Sequence, residues 1–101
     1  MYLRAIHCHL KPEADRQEAE AVYRELLPAI EAHPGYLGAS LMLNEQAHMA
    51  VAFIYWDTRE HGCQAGEMLR PLLFQHTWNL TDAPLDITGY AVLHHTMVEP
   101  N

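Results

Sequence analysis

Positive charge is scarce in this sequence. Six Lys and Arg stand against thirteen Asp and Glu, for a formal net charge of -7 with His neutral. So acidic a chain is a poor partner for nucleic acid or an anionic membrane surface. Long apolar runs are also missing, since none reaches the ~20 residues a bilayer-spanning helix needs. The opening MYLRAIHCHL has no basic leader, no long apolar centre and no small-residue cleavage site. It does not read as a signal peptide, and the expected setting is the cytoplasm. Cysteine is limited to Cys8 and Cys63, whose spacing fits no metal motif; two reduced thiols are expected. There is no nucleophile motif, no phosphate-cradling glycine loop, and no flavin or nicotinamide fingerprint. Internal repeats and low-complexity segments are absent as well.

What is present suits one globular domain spanning 1–101, with 50% hydrophobic and 19% charged residues. The most informative stretch is Ala50 to His61, AVAFIYWDTREH. Val51, Phe53 and Tyr55 would face one side of a strand; Ala50, Ala52, Ile54 and Trp56 would face the other. Neither side is polar, so both faces of this strand should be covered. Asp57-Thr58 then stops the strand and offers a helix N-cap.

The rest of the chain arranges itself around that strand. Tyr2 to Leu10 alternates as a first strand, with Tyr2, Arg4, Ile6, Cys8 and Leu10 on one face, and Leu3, Ala5, His7 and His9 on the other. Asp15 to Glu18 has the form of a capping box, and a helix should run from there to about Ala32. Its buried stripe is Ala19, Val22, Leu26, Ala29, Ile30 and His33. His33-Pro34-Gly35 ends it. Tyr36 to Leu43 and Met49 to Trp56 form a hairpin across the polar turn Asn44 to Ala47. Helical spacing resumes at Thr58, with His61, Ala65, Met68, Leu69, Leu72 and His76 near one face. Pro71 should divide this region into two short helices, Thr58 to Arg70 and Pro71 to Asn79. Leu85 to Thr96 reads as the last strand and Val98 to Asn101 as a tail. Met42, Met49 and Met68 are expected as core filler.

The order β-α-β-β-α-β defines an α+β, ferredoxin-like antiparallel sheet with helices on one face. Helices can cover only that face, while the central strand is apolar on both. The simplest second cover is the same face of another copy, so a homodimer is expected.

Eight histidines need an account. His7 and His9 share a strand face, and His94-His95 form a second cluster. A shared metal site is not expected, because the antiparallel placement of first and last strands puts His9 and His95 roughly 15 Å or more apart at ~3.3 Å per residue. His61 and His76 fall among apolar residues on the inward helix face, where a neutral imidazole could take a proton from a phenol. Trp56 and Trp78 could stack on a flat ligand, or pack as ordinary core. His9 is a further candidate contact.

Several local features carry a family resemblance: Leu10-Lys11-Pro12 ending a strand, Leu26-Leu27-Pro28 ending a helix, the turn His33-Pro34-Gly35-Tyr36-Leu37-Gly38, and Tyr55-Trp56-Asp57 at a strand end. With these the chain resembles the antibiotic biosynthesis monooxygenase (ABM) domain of the dimeric α+β barrel superfamily, over nearly its whole length. The resemblance implies a pocket between sheet and helices, and cofactor-independent monooxygenase activity on a small aromatic, phenolic or quinol-like substrate. His76 and His61 would then be the catalytic candidates, Trp78, Trp56 and His9 the substrate-binding ones, with no metal and no cofactor. One branch of the family binds and degrades haem with an Asn on the first strand, a Trp on the helix after the third strand and a His in the next helix. Here His76 corresponds to the His, the Trp position falls on Ala65 or Gly66, and the first strand has no Asn. A non-catalytic protein binding a small molecule or haem is the alternative from another class.

Overall fold

Two-sided alternation in the third strand organises the molecule. The computed structural model describes residues 1–96. It comprises β1 (Tyr2–His9), α1 (Arg16–Glu31), β2 (Tyr36–Asn44), β3 (Met49–Trp56), α2 (Arg59–Thr77) and β4 (Asp86–Ala91). The strands form one sheet in the order β2-β3-β1-β4, all neighbours antiparallel. This is the ferredoxin-like α+β arrangement. No helix among the described residues is long and apolar enough to cross a membrane.

The register decides which residues meet. Tyr2, Arg4, Ile6 and Cys8 lie opposite Trp56, Ile54, Ala52 and Ala50, and these eight share the face that the helices cover. Tyr2, Ile54 and Trp56 pack with Leu26 and Ile30 of α1 and Ala65 of α2. Cys8 and Ala50 join Leu10, Ala14, Ala19 and Leu80 in a second cluster toward the other end. The opposite face carries Leu3, Ala5, His7 and His9 beside Tyr55, Phe53, Val51 and Met49, with no helix of the described residues over it.

Local chemistry sets both helix starts. The Asp15 carboxylate accepts from the Glu18 amide at 2.9 Å, and the Thr58 hydroxyl accepts from the His61 amide at 3.1 Å. Between α1 and β2 the chain turns through Gly35 at φ +87°, where a side chain would be strained. The Gly35 carbonyl also accepts from the Asp57 amide at 2.8 Å, tying this turn to the end of β3.

Four sequence expectations need correction. Pro71 does not divide α2, which is one helix from Arg59 to Thr77. Pro71 and Glu67, whose carbonyl the proline ring crowds, are both exposed, while Leu69, Leu72 and Leu73 pack on the core from the other side. One lost backbone bond on the solvent side is outweighed by that packing. The last strand is Asp86–Ala91, not Leu85 to Thr96. Ala91 pairs with Tyr2, the Val92 amide bonds to the Met1 carbonyl, and residues 93–96 pair with no strand among the described residues, with the His95 ring lying against Tyr55 instead. Leu10 lies just outside β1, held by an isolated bridge to Thr81. Met68 and Met42 are not core filler, being 70% and 40% exposed. The expected tail Val98 to Asn101 lies outside the described residues.

Gly62 and Gly66 sit one turn apart on the sheet-facing side of α2. A Cβ on Gly62 would lie 2.8 Å from the Tyr2 ring and 3.0 Å from the Trp56 indole, both rigid and buried. One on Gly66 would meet only the end of the Arg4 side chain, at 3.3 Å. Gly62→Ala should therefore lower stability, since overpacking of about 1–3 kcal/mol exceeds the ~1 kcal/mol gained in helix propensity. Gly66→Ala should be neutral or slightly stabilising. Urea denaturation of the two variants side by side checks the contrast.

Candidate functional site

Where the two glycines keep α2 close to the sheet, the next turns leave a cavity of about 320 Å³ between helices and sheet. Its floor is Arg4 and Ile6 of β1, Ile54 and Trp56 of β3, and Ile87 of β4. Leu26 and Ile30 of α1 close one side; Gly62, Cys63, Gly66, Glu67, Leu69, Arg70 and Leu73 of α2 close the other. A void of about 60 Å³ adjoins it, sharing the walls Ile6, Leu26, Ile30, Ile54 and Leu73. Mostly apolar walls with a few polar groups, built on regular elements, are the usual make-up of a small-molecule site. Two roomier depressions are surface clefts, one along α1 and β2 with the charged rim Arg16, Glu20, Arg24 and Glu45, the other beside Trp78.

The polar groups of the cavity are unevenly satisfied. Arg4 is half-buried and has no ion-pair partner among the described residues. Trp56 is 2% exposed, packs edge-on against Tyr36 at 6.1 Å, and its indole N–H has no hydrogen-bond acceptor among the described residues. Arg70 lies over the Phe74 ring at 5.9 Å on the outer side of α2. Burial pushes the Cys8 thiol up, only partly offset by its hydrogen bond with Thr81, so this cysteine stays a protonated packing group. Burial likewise raises Tyr23 and Tyr36, with Glu31 adding to both.

The five site residues expected from sequence do not converge. Trp56 alone lines the cavity. His61 stands at the start of α2 with Nδ1 2.7 Å from the Asp57 carboxylate, both packed over Gly35. Ionised Asp57 can only accept, so Nδ1 carries the proton. His76 stands near the other end of α2 with Nδ1 3.0 Å from Glu25, bridging the two helices. At ~1.5 Å per residue the two histidines are roughly 22 Å apart along α2 and cannot serve one small ligand together. Trp78 is 77% exposed and lines the surface cleft with Lys11, Phe74 and Pro84. His9 is exposed at the end of β1 on the sheet face without helices. No group of three or more His, Cys, Asp or Glu is placed to hold a metal among the described residues.

Arg4, Cys63, Glu67 and Arg70 line the cavity and were not singled out by motif. Arg4 was the accessible signal, as the one charge on a strand face otherwise made of Tyr2, Ile6, Cys8 and Leu10. The glycines four apart in α2 were another, since they mark close approach of helix and sheet.

No protein-family model and no curated protein matches the chain. Solved structures do. The monooxygenase from the ActVA-Orf6 gene of Streptomyces coelicolor, in complex with nanaomycin D, superposes with a TM-score of 0.72 at 12% identity, covering 97% of this chain and 92% of that one. A point mutant of SnoaB, a cofactor-independent oxygenase from Streptomyces nogalater, superposes at 0.71 and 14% identity, over 93% and 94%. A point mutant of MhuD, with two manganese protoporphyrin IX molecules per active site, superposes at 0.77 and 15% identity, over 97% and 100%. At these identities the likeness concerns the fold, which the chain shares with solved oxygenase structures that include two of the antibiotic biosynthesis monooxygenase type.

The His61 contact holds the exposed Asp57 carboxylate below its ordinary range. A depressed folded pKa means stability that is present above the unfolded value and lost as pH falls through the folded one. Asp57→Asn should thus lower the melting temperature at neutral pH, and its difference from wild type should fade below about pH 4. Thermal unfolding at pH 7 and in acid checks both halves.

Proposed function

We propose that the cavity between α2, α1 and the sheet binds a small aromatic, phenolic or quinol-like molecule and that the protein oxygenates it without a resident cofactor. The carrying observation is the cavity itself: about 320 Å³, walled by Ile6, Ile54, Leu26, Ile30, Leu69 and Leu73, with few polar groups. Its size suits one or two rings. The same fold carries a cofactor-independent oxygenase and a monooxygenase holding nanaomycin D. In this chemistry the substrate must itself reduce O₂. An ionised ring gives up two electrons and two protons, one oxygen atom enters the product, and the other leaves as water. Apolar walls keep bulk water from the reacting ring and fix its plane.

His61 and His76 stand at the two ends of the α2 wall, and neither lines the cavity. Metal-free protein should take up oxygen with a hydroquinone or polyphenol panel faster than the substrate's autoxidation. The His61→Ala/His76→Ala double variant should keep most of that rate. A fall of about 100-fold with the fold intact would return the proton-accepting role to these histidines. No uptake across the panel would leave the non-catalytic binder in its place. The haem form of that alternative is motivated by MhuD, and His76 would be the ligand. Ferric haem titration should give no saturable Soret shift that His76→Ala abolishes.

The sheet face opposite the helices is assigned to a second copy of the chain. Leu3, Val51 and Phe53 are apolar and half-buried there with no helix of the described residues over them, while Tyr55 beside them is met by the His95 ring at 5.5 Å. The working form would be a cytoplasmic homodimer. Light scattering after size exclusion should give about twice 11.6 kDa, and Phe53→Asp should dissociate or unfold the protein. A monomer at micromolar concentration would contradict the assignment.

A further inference from the structure

Donors among the residues that line the cavity lack acceptors among the described residues. The Arg4 guanidinium has no carboxylate partner among the described residues, and the Trp56 indole N–H has no acceptor there. The two residues belong to neighbouring strands on the same face. Arg4 is paired with Ile54, and Trp56 is two residues further along β3. Such diagonal neighbours lie roughly 7–8 Å apart at their backbones. Of the two, the half-buried Arg4 is the one a ligand in the cavity can meet, since the indole nitrogen is closed off.

The backbone around Arg4 is shaped for its guanidinium. A Cβ on Gly66 of α2 would come within 3.3 Å of Nη2, and one on Gly89 of β4 within 3.3 Å of Nη1. Gly66 thus leaves room for the head of the Arg4 side chain, while Gly89 chiefly accommodates the Tyr2 hydroxyl, which a Cβ there would meet first. Glu67 and Arg70 line the same cavity, but Glu67 is not paired with Arg4, and Arg70 is turned over Phe74. Arg4 is left as a cation on the strand floor of a mostly apolar space, with no carboxylate at ion-pair distance among the described residues. Its planar fork matches a carboxylate at two points, and the match strengthens where water is scarce.

We infer that the cavity is selective for an aromatic carboxylate, with Arg4 holding the carboxylate and the apolar walls holding the ring. This rests on the proposal that the cavity is the binding site, and it narrows the substrate class to acids of phenols and hydroquinones. Arg4 is thereby a specificity-determining residue, where the motif-based candidates all lay on histidine and tryptophan.

Isothermal titration of the full chain with a matched pair tests this: 2,5-dihydroxybenzoate against 2,5-dihydroxybenzamide. The acid should bind about tenfold or more tightly than the amide. Arg4→Met should remove that preference, so that acid and amide bind alike, with thermal unfolding reporting the fold. Gly66→Ala, which keeps the charge but crowds Nη2, should reduce the preference. Equal affinity for acid and amide in the wild-type protein overturns the inference while leaving the cavity as the site, and needs no variant. A preference that survives Arg4→Met also overturns it. If neither compound binds, the cavity assignment and the inference fall together.

Discussion

The contact of Gly62 with the rings of Tyr2 and Trp56 is the constraint on which the rest of the structure depends. It sets the distance of α2 from the sheet at the first turn of the helix. Trp56 and Tyr2 are opposite one another in the register of β3 and β1, so this one contact joins three elements. Close packing at the first turn has a consequence further along. The next glycine faces a long, flexible arginine instead of a ring, and both glycines line the cavity. A side chain at position 62 would push α2 outward and change both core and cavity, because well-packed interiors relax only in part.

The start of α2 is held in place by polar contacts of a different kind. Thr58 caps the helix, Asp57 binds His61, and Gly35 supplies the turn beneath them. Sequence alone suggested a catalytic role for His61. Its geometry is that of a side chain folding back on the residue before its own helix cap, one that also closes the loop between α1 and β2. His76 has a parallel position at the far end, where it joins α2 to α1 through Glu25. Each histidine fastens one end of the helix that walls the cavity.

Much of the fold was legible in the residues. Alternation in Met49 to Trp56 showed a strand apolar on both faces, and the Asp15 capping box marked the start of α1. Both rest on local chemistry that does not need the tertiary structure. Pro71 misled because proline's cost is local, whereas the packing of Leu69, Leu72 and Leu73 that outweighs it is not. The end of β4 was set by how far β1 runs beside it, a fact of register invisible in composition. The site was less legible still. Spacing identified His61 and His76 as sharing a helix face, but the expected break at Pro71 hid that they stand roughly 22 Å apart along one continuous helix, with neither lining the small cavity. Arg4 was visible as an anomaly on an apolar face, and became informative only when Gly66 of α2 was found beside its guanidinium.

The proposed binding site is the space between α2 and the sheet. A crystal structure of the protein soaked with a hydroquinone-type ligand tests this most directly. Density for the ring against Ile54, Leu73 and Trp56, with its oxygen substituents toward Arg4, is the predicted result. Ligand bound only in the cleft beside Trp78, with the inner cavity unchanged, would contradict it.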